Sequence, residues 1–184
     1  MNRQIIFRGK RLDNGEWVYG DLEYNRAKNI ARIHTYDEGG EYLMQHLVEP
    51  DSVGQYTDVD DVNGNPIFEG DIVETFAIYL EYQQVGNYPP PNIEVEEWAV
   101  KRSVDAVKFS YGSFDINGFP IMFEDMMCDD DEAEKSTERK EFENMWEDNS
   151  YDIRDKYPYL TWDYFRKPHI IGSIHDNPDL LNGK

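Results

Sequence analysis

Tight-turn signals recur along this chain, each lying between short segments rich in β-branched and aromatic residues. They are Asp13-Asn14-Gly15, Gly39-Gly40, Asn63-Gly64 and Asn117-Gly118. Glycine and asparagine readily adopt the positive φ that tight hairpin turns require, and such frequent turns leave little room for long helices. The pattern therefore predicts a succession of antiparallel strands.

The composition is that of a folded protein with a core. The hydrophobic fraction is 39% and the aromatic fraction 14% over 184 residues, which suffices for one domain. Aromatic and β-branched side chains fit pleated, half-buried surfaces. The predicted fold class is mainly β, a β-rich α+β fold in which a small curled, barrel-like sheet of SH3-like character carries an acidic helical insertion.

We expect a single domain over residues 1–184 with two insertions. Residues 79–96 are predicted to form a loop, because three consecutive prolines at 89–91 favour extended polyproline geometry. Residues 124–158 are predicted to form the acidic helical insertion. Its segment 124–150 holds twelve acidic and three basic residues, and Phe142, Met145 and Trp146 are spaced to share one helix face.

Charge and cysteine content narrow the classes of partner. The net charge of −20 repels phosphate backbones and anionic lipids, so no direct nucleic-acid or membrane binding is expected. Cys128 is the single cysteine, which excludes an intrachain disulfide and is typical of a reducing compartment. With no signal peptide and no apolar membrane-spanning segment, the expected location is the cytoplasm.

The stretch from Val53 to Glu74, VGQYTDVDDVNGNPIFEGDIVE, suggests a calcium loop at first sight. An EF-hand loop with Gly64 at position 6 would place Val59 at position 1 and Gly70 at position 12, where acidic ligands are required. The loop fails at both ends, so we interpret the stretch as an acidic turn in a corner of a β fold. The residues predicted to shape this corner are Gly54, Asn63, Gly64, Gly70 and Asp71.

Histidine and cysteine give no catalytic or metal site. The chain has four histidines, of which His169 and His175 would lie about 20 Å apart on an uninterrupted strand. Each histidine is therefore expected to be a solitary surface or packed residue. Cys128 lies among acids that raise the pKa of a thiol and disfavour a nucleophilic thiolate. No catalytic residue, metal ligand or cofactor is predicted.

The acidic insertion is the candidate interaction surface. Its acidic side chains can contact a basic partner. The simpler interpretation of the acidic run is a charged helix face that contacts only solvent. The residues predicted for this surface are Asp129, Asp130, Asp131, Glu132, Phe142 and Trp146.

Three blocks, in this order, resemble the YopX family of phage and prophage proteins. They are FRGKRLDNGEWVYG near the start, the stretch from Val53 to Glu74, and IIGSIHDNPDLL near the end. The resemblance implies a mainly β protein from a temperate phage or mobile element, with no established activity and no catalytic residues to transfer. The chain departs from the family pattern at Asp58, where the resemblance implies glycine.

Three hypotheses on function remain open. The first is a non-enzymatic phage accessory protein that binds a host or phage protein through the insertion. The second is an acidic DNA mimic, and the third is a metal-dependent enzyme that uses carboxylates and a histidine. Homo-oligomer formation also stays open, because exposed β edges often pair.

Overall fold

The computed structural model describes residues 5–85, 92–110, 113–116, 119–120 and 167–182, together with residues 140, 156, 159, 160 and 164. Strands dominate this part of the chain. Short 3-10 turns occupy Pro50–Ser52 and Pro178–Leu181. The strands are β1 (Phe7–Lys10), β2 (Trp17–Asn25), β3 (Ile30–Tyr36), β4 (Tyr42–Val48), β5 (Gly54–Asp60), β6 (Pro66–Phe68), β7 (Asp71–Val85), β8 (Asn92–Ser110), β9 (Ser113–Ile116), β10 (Phe119–Pro120) and β11 (His169–Ser173).

The strands form two antiparallel sheets, which confirms the predicted mainly β class. The first sheet has the order β4-β3-β2-β1-β5-β6, and the second has the order β10-β9-β8-β7-β11. The first sheet curls far enough for Arg11, just after β1, to bridge to Val48 at the end of β4. The sheets nevertheless do not close into a barrel. The first sheet is therefore curled, as expected from the sequence, but remains open.

The local turn signals correspond to observed turns. Gly15 and Gly40 adopt φ values of +73° and +79° between paired strands, as predicted for the β1–β2 and β3–β4 hairpins. The turn between β2 and β3 was not predicted, and there Asn29 takes the left-handed conformation with φ +50°. Asparagine tolerates this conformation better than most residues, so a turn without glycine is compatible with the sequence.

Two apolar clusters hold the sheets. Ala31, Ile33 and Val48 form one cluster on the inner face of the first sheet, against which Phe7, Val18, Leu22 and Val53 pack. Alternation along each strand sends these residues to one side and their neighbours to the other. The second cluster is formed by Ile67, Val73, Val107 and Phe114, with Val59, Ile116 and Ile170 packed against it.

The chain divides into two compact units where a single domain was expected. Unit 1 comprises Met1–Val73, Val104–Ile121 and Ile170–Lys184, and unit 2 comprises Glu74–Ser103 and Met122–His169. Three of the four boundaries fall within β7, within β8 and at the start of β11. Because both long strands continue through a boundary without a composition change, the sequence contains no linker signal for the division.

The prediction of a loop over residues 79–96 is wrong at both of its sides. β7 continues to Val85 and β8 begins at Asn92, so strand replaces the predicted loop there. The aromatic and aliphatic residues before the prolines have a high strand propensity. The prediction gave the prolines more weight than this propensity. Residues 86–91, the Asn117-Gly118 turn and almost all of the acidic insertion lie outside the described residues.

Candidate binding site

Strand β1 points two basic side chains away from the first apolar cluster. Gly9 lies against Val48, where a Cβ atom would meet the valine side chain, so Arg8 and Lys10 must face the opposite side of the sheet. In the β1–β2 pairing, Arg8 lies opposite Tyr19. Lys10 is likewise paired with Trp17, so this face carries two cations flanked by two aromatic rings.

The Arg8 side chain is buried, and both of its terminal nitrogens have partners. Its Nη1 lies 2.6 Å from Asp71 Oδ1, and the two side chains are 7% and 2% exposed. Its Nη2 donates to the carbonyl oxygen of Glu69 at 3.3 Å. The guanidinium carbon lies 4.4 Å from the Trp17 ring centre and 5.1 Å from that of Phe68, which places the cation between two aromatic faces.

Asp71 completes this arrangement from the start of β7. Its Oδ2 accepts a hydrogen bond from the backbone N–H of Phe68 at 2.8 Å, so the carboxylate both fixes the β6–β7 turn and neutralises Arg8. Burial raises the pKa of Asp71, and the Arg8 charge offsets part of that rise. A buried pair of this kind is costly to break, because the remaining charge would have no partner.

The segment that follows β11 covers the same face. Asp176 receives hydrogen bonds from Lys10 Nζ at 2.6 Å and from Trp17 Nε1 at 2.9 Å, and these two bonds lower its pKa. The His175 ring meets the Trp17 ring edge-on at a centroid distance of 5.9 Å. Burial, followed by the charges of Arg8 and Lys10, lowers the pKa of His175.

A pocket of about 480 Å³ opens beside the buried pair. Tyr19, which is half exposed, packs on Phe68 at a ring distance of 5.4 Å, and Tyr56 packs on Phe68 at 5.6 Å. We call this the Arg8 pocket. Its lining residues are Arg8, Tyr19, Asn65, Pro66, Phe68, Asp71 and Ile170.

Most polar atoms of the Arg8 pocket are already engaged. Both oxygens of Asp71 and both terminal nitrogens of Arg8 have partners. Arg8 Nε is the exception, because it is buried without a hydrogen-bond partner among the described residues. The pocket therefore offers mainly aromatic and proline walls, since Nε is buried like the rest of the ion pair. Such apolar walls are typical of a binding site.

The three sequence blocks that carry the family resemblance meet at this site. Arg8 and Trp17 belong to the first block, Asp71 to the second, and His175 and Asp176 to the third. Their contacts join residues as far apart as Trp17 and Asp176. Segments that are remote in sequence thus form one interconnected cluster.

A comparison with protein families decides the assignment. The model of the YopX protein family matches residues 6–98, which is half of the chain. The chain belongs to the YopX family. The match contains Arg8, Trp17, Phe68 and Asp71, whereas the third block lies beyond it. No curated protein and no solved structure matches the chain.

The corner residues predicted from the sequence lie around the Arg8 pocket. Gly54 is buried so close to Glu69 that a Cβ atom would collide with the carbonyl oxygen of Glu69. Gly64 and Gly70 adopt φ values of +79° and +85°, which favour glycine. Asn63 donates its backbone N–H to Asp61 Oδ1 at 2.9 Å. Of the five predicted residues, Asp71 alone lines the pocket.

The acidic turn is built around Asp61, whose side chain is fully buried. Its Oδ1 accepts hydrogen bonds from the backbone N–H groups of Asn63 and Asn65, and its Oδ2 accepts one from Asn65 Nδ2 at 3.2 Å. The carboxylate is thus engaged by its own turn. This agrees with the interpretation of the stretch as a turn, in which an Asx side chain replaces a backbone acceptor.

The predicted interaction surface on the acidic insertion lies outside the described residues. This applies to Asp129, Asp130, Asp131, Glu132, Phe142 and Trp146 alike. Within the insertion, Lys140 is described as helical and exposed. The role proposed for this segment in the YopX chain therefore stays a prediction.

The sequence analysis did not predict most residues of the Arg8 pocket and the adjoining cluster. The residues missed are Arg8, Trp17, Tyr19, His175 and Asp176. One available signal was the position of Arg8, which alternates with Phe7 and Gly9 in a short strand. A cation at such a position needs a buried partner or an exposed face. The identity of that partner was out of reach, because Asp71 is 63 positions away.

Unit 2 has a charged cluster of its own. Glu74 is 5% exposed in its side chain, with Arg102 Nε donating to its Oε2 at 2.7 Å and His169 Nδ1 lying 2.8 Å from its Oε1. The His169 ring also meets the Tyr164 ring edge-on at 5.3 Å. The charge of this buried carboxylate is compensated by a guanidinium and an imidazole, so removing either partner would leave it incompletely compensated.

The histidines are placed differently from one another. His34 Nε2 lies 3.1 Å from Glu23 Oε2, whereas His175 packs on Trp17. His34 and His169 thus each face a glutamate, and His169 and His175 each pack on an aromatic ring. Within the described ranges, no group of three or more histidine, cysteine and acidic side chains is placed to hold a metal ion, and no helix has the length and apolar character to cross a membrane.

Proposed function

We propose that this YopX-family chain is a non-enzymatic phage accessory protein that binds a host or phage protein in the bacterial cytoplasm. The Arg8 pocket is the proposed contact. The observation that carries the proposal is a pocket of about 480 Å³ whose walls are aromatic while its buried ion pair is internally neutralised. Such a pocket can accept a partner side chain without leaving a charge unpaired.

The exposed ring of Tyr19 favours an apolar or proline side chain on the partner. A half-exposed tyrosine beside a buried phenylalanine provides a rigid apolar surface at low entropic cost.

The charges around the pocket favour a basic flanking residue on the partner. Tyr56, which packs beside the pocket, donates its hydroxyl to Asp60 at 2.8 Å, and burial followed by this bond raises the pKa of Tyr56 to about 12. Asp60 is exposed, and the chain carries a net charge of −20. A segment with an apolar or proline side chain next to lysine or arginine would complement both features.

Capture from bacterial lysate tests the proposal. The full-length chain and a Tyr19→Ala variant would be immobilised, and retained proteins would be identified by mass spectrometry. We expect one partner to be retained by the unmodified chain and lost, or reduced at least tenfold, with Tyr19→Ala. Tyr24→Ala is the matched control, because Tyr24 is also exposed, at 44%, but lies on the opposite face of β2.

Salt and deletion separate the rival explanations. A pocket contact should persist at high salt, whereas a DNA mimic would release its partner as salt rises. Retention that is indifferent to Tyr19→Ala but lost on deletion of residues 124–150 would assign binding to the acidic insertion. That result would overturn the role of the Arg8 pocket.

A further inference from the structure

Strand β4 forms one edge of the first sheet, and among the described residues most of that edge has no pairing partner. On its inner side β4 pairs with β3 from Val48 to Tyr42. On its outer side the described residues pair only at the end, where Leu12 N donates to Leu47 O at 3.0 Å and Glu49 N donates to Lys10 O at 2.8 Å. The outer edge before Leu47 is thus left for another strand.

The backbone geometry identifies which groups face outward. Leu47 and Glu49 direct their backbone groups to the outer side, and in an antiparallel ladder this direction recurs at every second residue. The N–H and C=O of Gln45 therefore point to the open side. The register shift opposite Thr35 and Tyr36 lies at the start of β4, so the ladder from Met44 to Val48 is regular.

Large apolar side chains surround this open edge. Along β4, Tyr42, Leu43, Met44 and Leu47 are each at least half exposed, and Leu12 beside them is 59% exposed. A groove of about 650 Å³ runs between Leu12 and the edge. Monomeric proteins rarely leave such a cluster uncovered, and edges are usually protected by lysine, proline or short length. β4 contains neither lysine nor proline.

The charge distribution indicates which occupant fits. Charged residues make up 30% of the chain, yet β4, Tyr42–Val48, contains no acid and no lysine or arginine. Two copies with a charge of −20 each repel one another through their net charge, and an acid-free contact adds the least to that repulsion. The groove beside β4 also holds Arg11 and Arg32, whose charges are balanced by Asp13, Glu16 and Glu23, so the strand itself is the part of this surface without acids.

We propose that two copies of the chain pair antiparallel through β4, about a two-fold axis beside Met44. This register places Tyr42 opposite His46 of the other copy and brings no two acids face to face. Complete burial of the exposed apolar side chains from both copies would amount to roughly 1,000 Å², which is about the minimum for a biological interface. The contact is independent of the Arg8 pocket, since that pocket involves β1, β2 and the β6–β7 corner.

Sedimentation equilibrium of the full-length chain tests the dimer. The unmodified chain should be dimeric at micromolar concentrations, and Met44→Lys should weaken dimerisation at least tenfold, because two lysines would meet beside the axis. Leu180→Lys is the matched control, since Leu180 is 41% exposed in the 3-10 turn after β11. Unchanged circular dichroism of both variants would show that they remain folded.

Salt provides a second readout. Because the two copies repel through their net charge, the dimer should become tighter as salt rises, which is opposite to the behaviour of a charge-driven complex. A chain that stays monomeric up to about 100 μM, a dimer unaffected by Met44→Lys, or a dimer that salt dissociates would each overturn the proposal.

Discussion

Asp58 is the residue whose backbone conformation fits its side chain least. It adopts φ +71° within an irregular stretch of the β5–β6 pairing, between the pairs Tyr56–Phe68 and Asp60–Pro66. Residues with a Cβ atom are disfavoured there, and aspartate is tolerated better than most. The glycine that the family resemblance implies at this position is thus the residue that this conformation favours.

Replacing Asp58 with glycine should stabilise the protein. Relief of the left-handed conformation is expected to raise the free energy of unfolding by about 0.5–1 kcal/mol, measured by urea denaturation. Asp60→Gly is the control, because Asp60 is in the same strand without a positive φ. Glycine there should lower stability by a similar amount, and a gain at both positions would contradict the explanation.

His175 gives stability a pH dependence of known sign. Burial and the nearby cations lower its pKa in the folded protein, so the folded state favours the neutral ring. The unfolded chain takes up the proton first, near pH 6.5, and stability is therefore lost as pH falls from there through the lower folded pKa.

A His175→Gln variant should lose this component. Thermal unfolding between pH 7.5 and pH 5.5 should show a smaller drop in Tm for His175→Gln than for the unmodified chain. His34→Gln serves as the comparison, because it also removes one histidine but lies on β3, outside this cluster. Equal slopes for the chain and for His175→Gln would show that the ring near Trp17 does not titrate as described.

At the level of elements, the Arg8–Asp71 pair fastens β1 to the β6–β7 corner. Arg8 reaches the Glu69 carbonyl and Asp71 in the same turn, so one side chain secures both sides of that corner. The pair is flanked by Trp17 and Phe68, which exclude water from it. Its geometry thus connects the first sheet to the start of β7.

A double-mutant cycle measures this connection. Arg8→Met should cost about 3–5 kcal/mol of unfolding free energy, because it leaves the Asp71 carboxylate buried without its cation. Arg8→Met combined with Asp71→Asn should cost clearly less than the sum of the single changes. Additive losses in urea denaturation would mean that the two side chains are energetically independent.

Elements governed by local signals were predictable from the sequence, and those governed by distant contacts were not. The turns at Gly15 and Gly40 depend on a few adjacent residues, so the turn signals sufficed. The strands around residues 86–91 depend on pairing between β7 and β8, and the proline signal alone concealed them. The Arg8 pocket depends on contacts across 63 and 159 positions, for which one sequence has no pattern.

For the whole molecule, unit 1 is assembled from three separate stretches of chain. Residues 1–73 supply all six strands of the first sheet, and residues 104–121 and 170–184 complete the unit. Its second apolar cluster accordingly combines Ile67 and Val73 with Val107, Phe114 and Ile170. Contacts across such distances close large loops, which slows folding relative to a fold of local contacts.

The position of Ile170 in that cluster has a consequence for synthesis of the protein. While a ribosome extends the chain, Ile67 and Val73 emerge early, but their partner from β11 is added about a hundred residues later. At roughly 5–20 residues per second, the nascent chain spends several seconds with this apolar surface exposed. Folding of unit 1 is therefore completed only late in synthesis, and until then this apolar surface is exposed to aggregation.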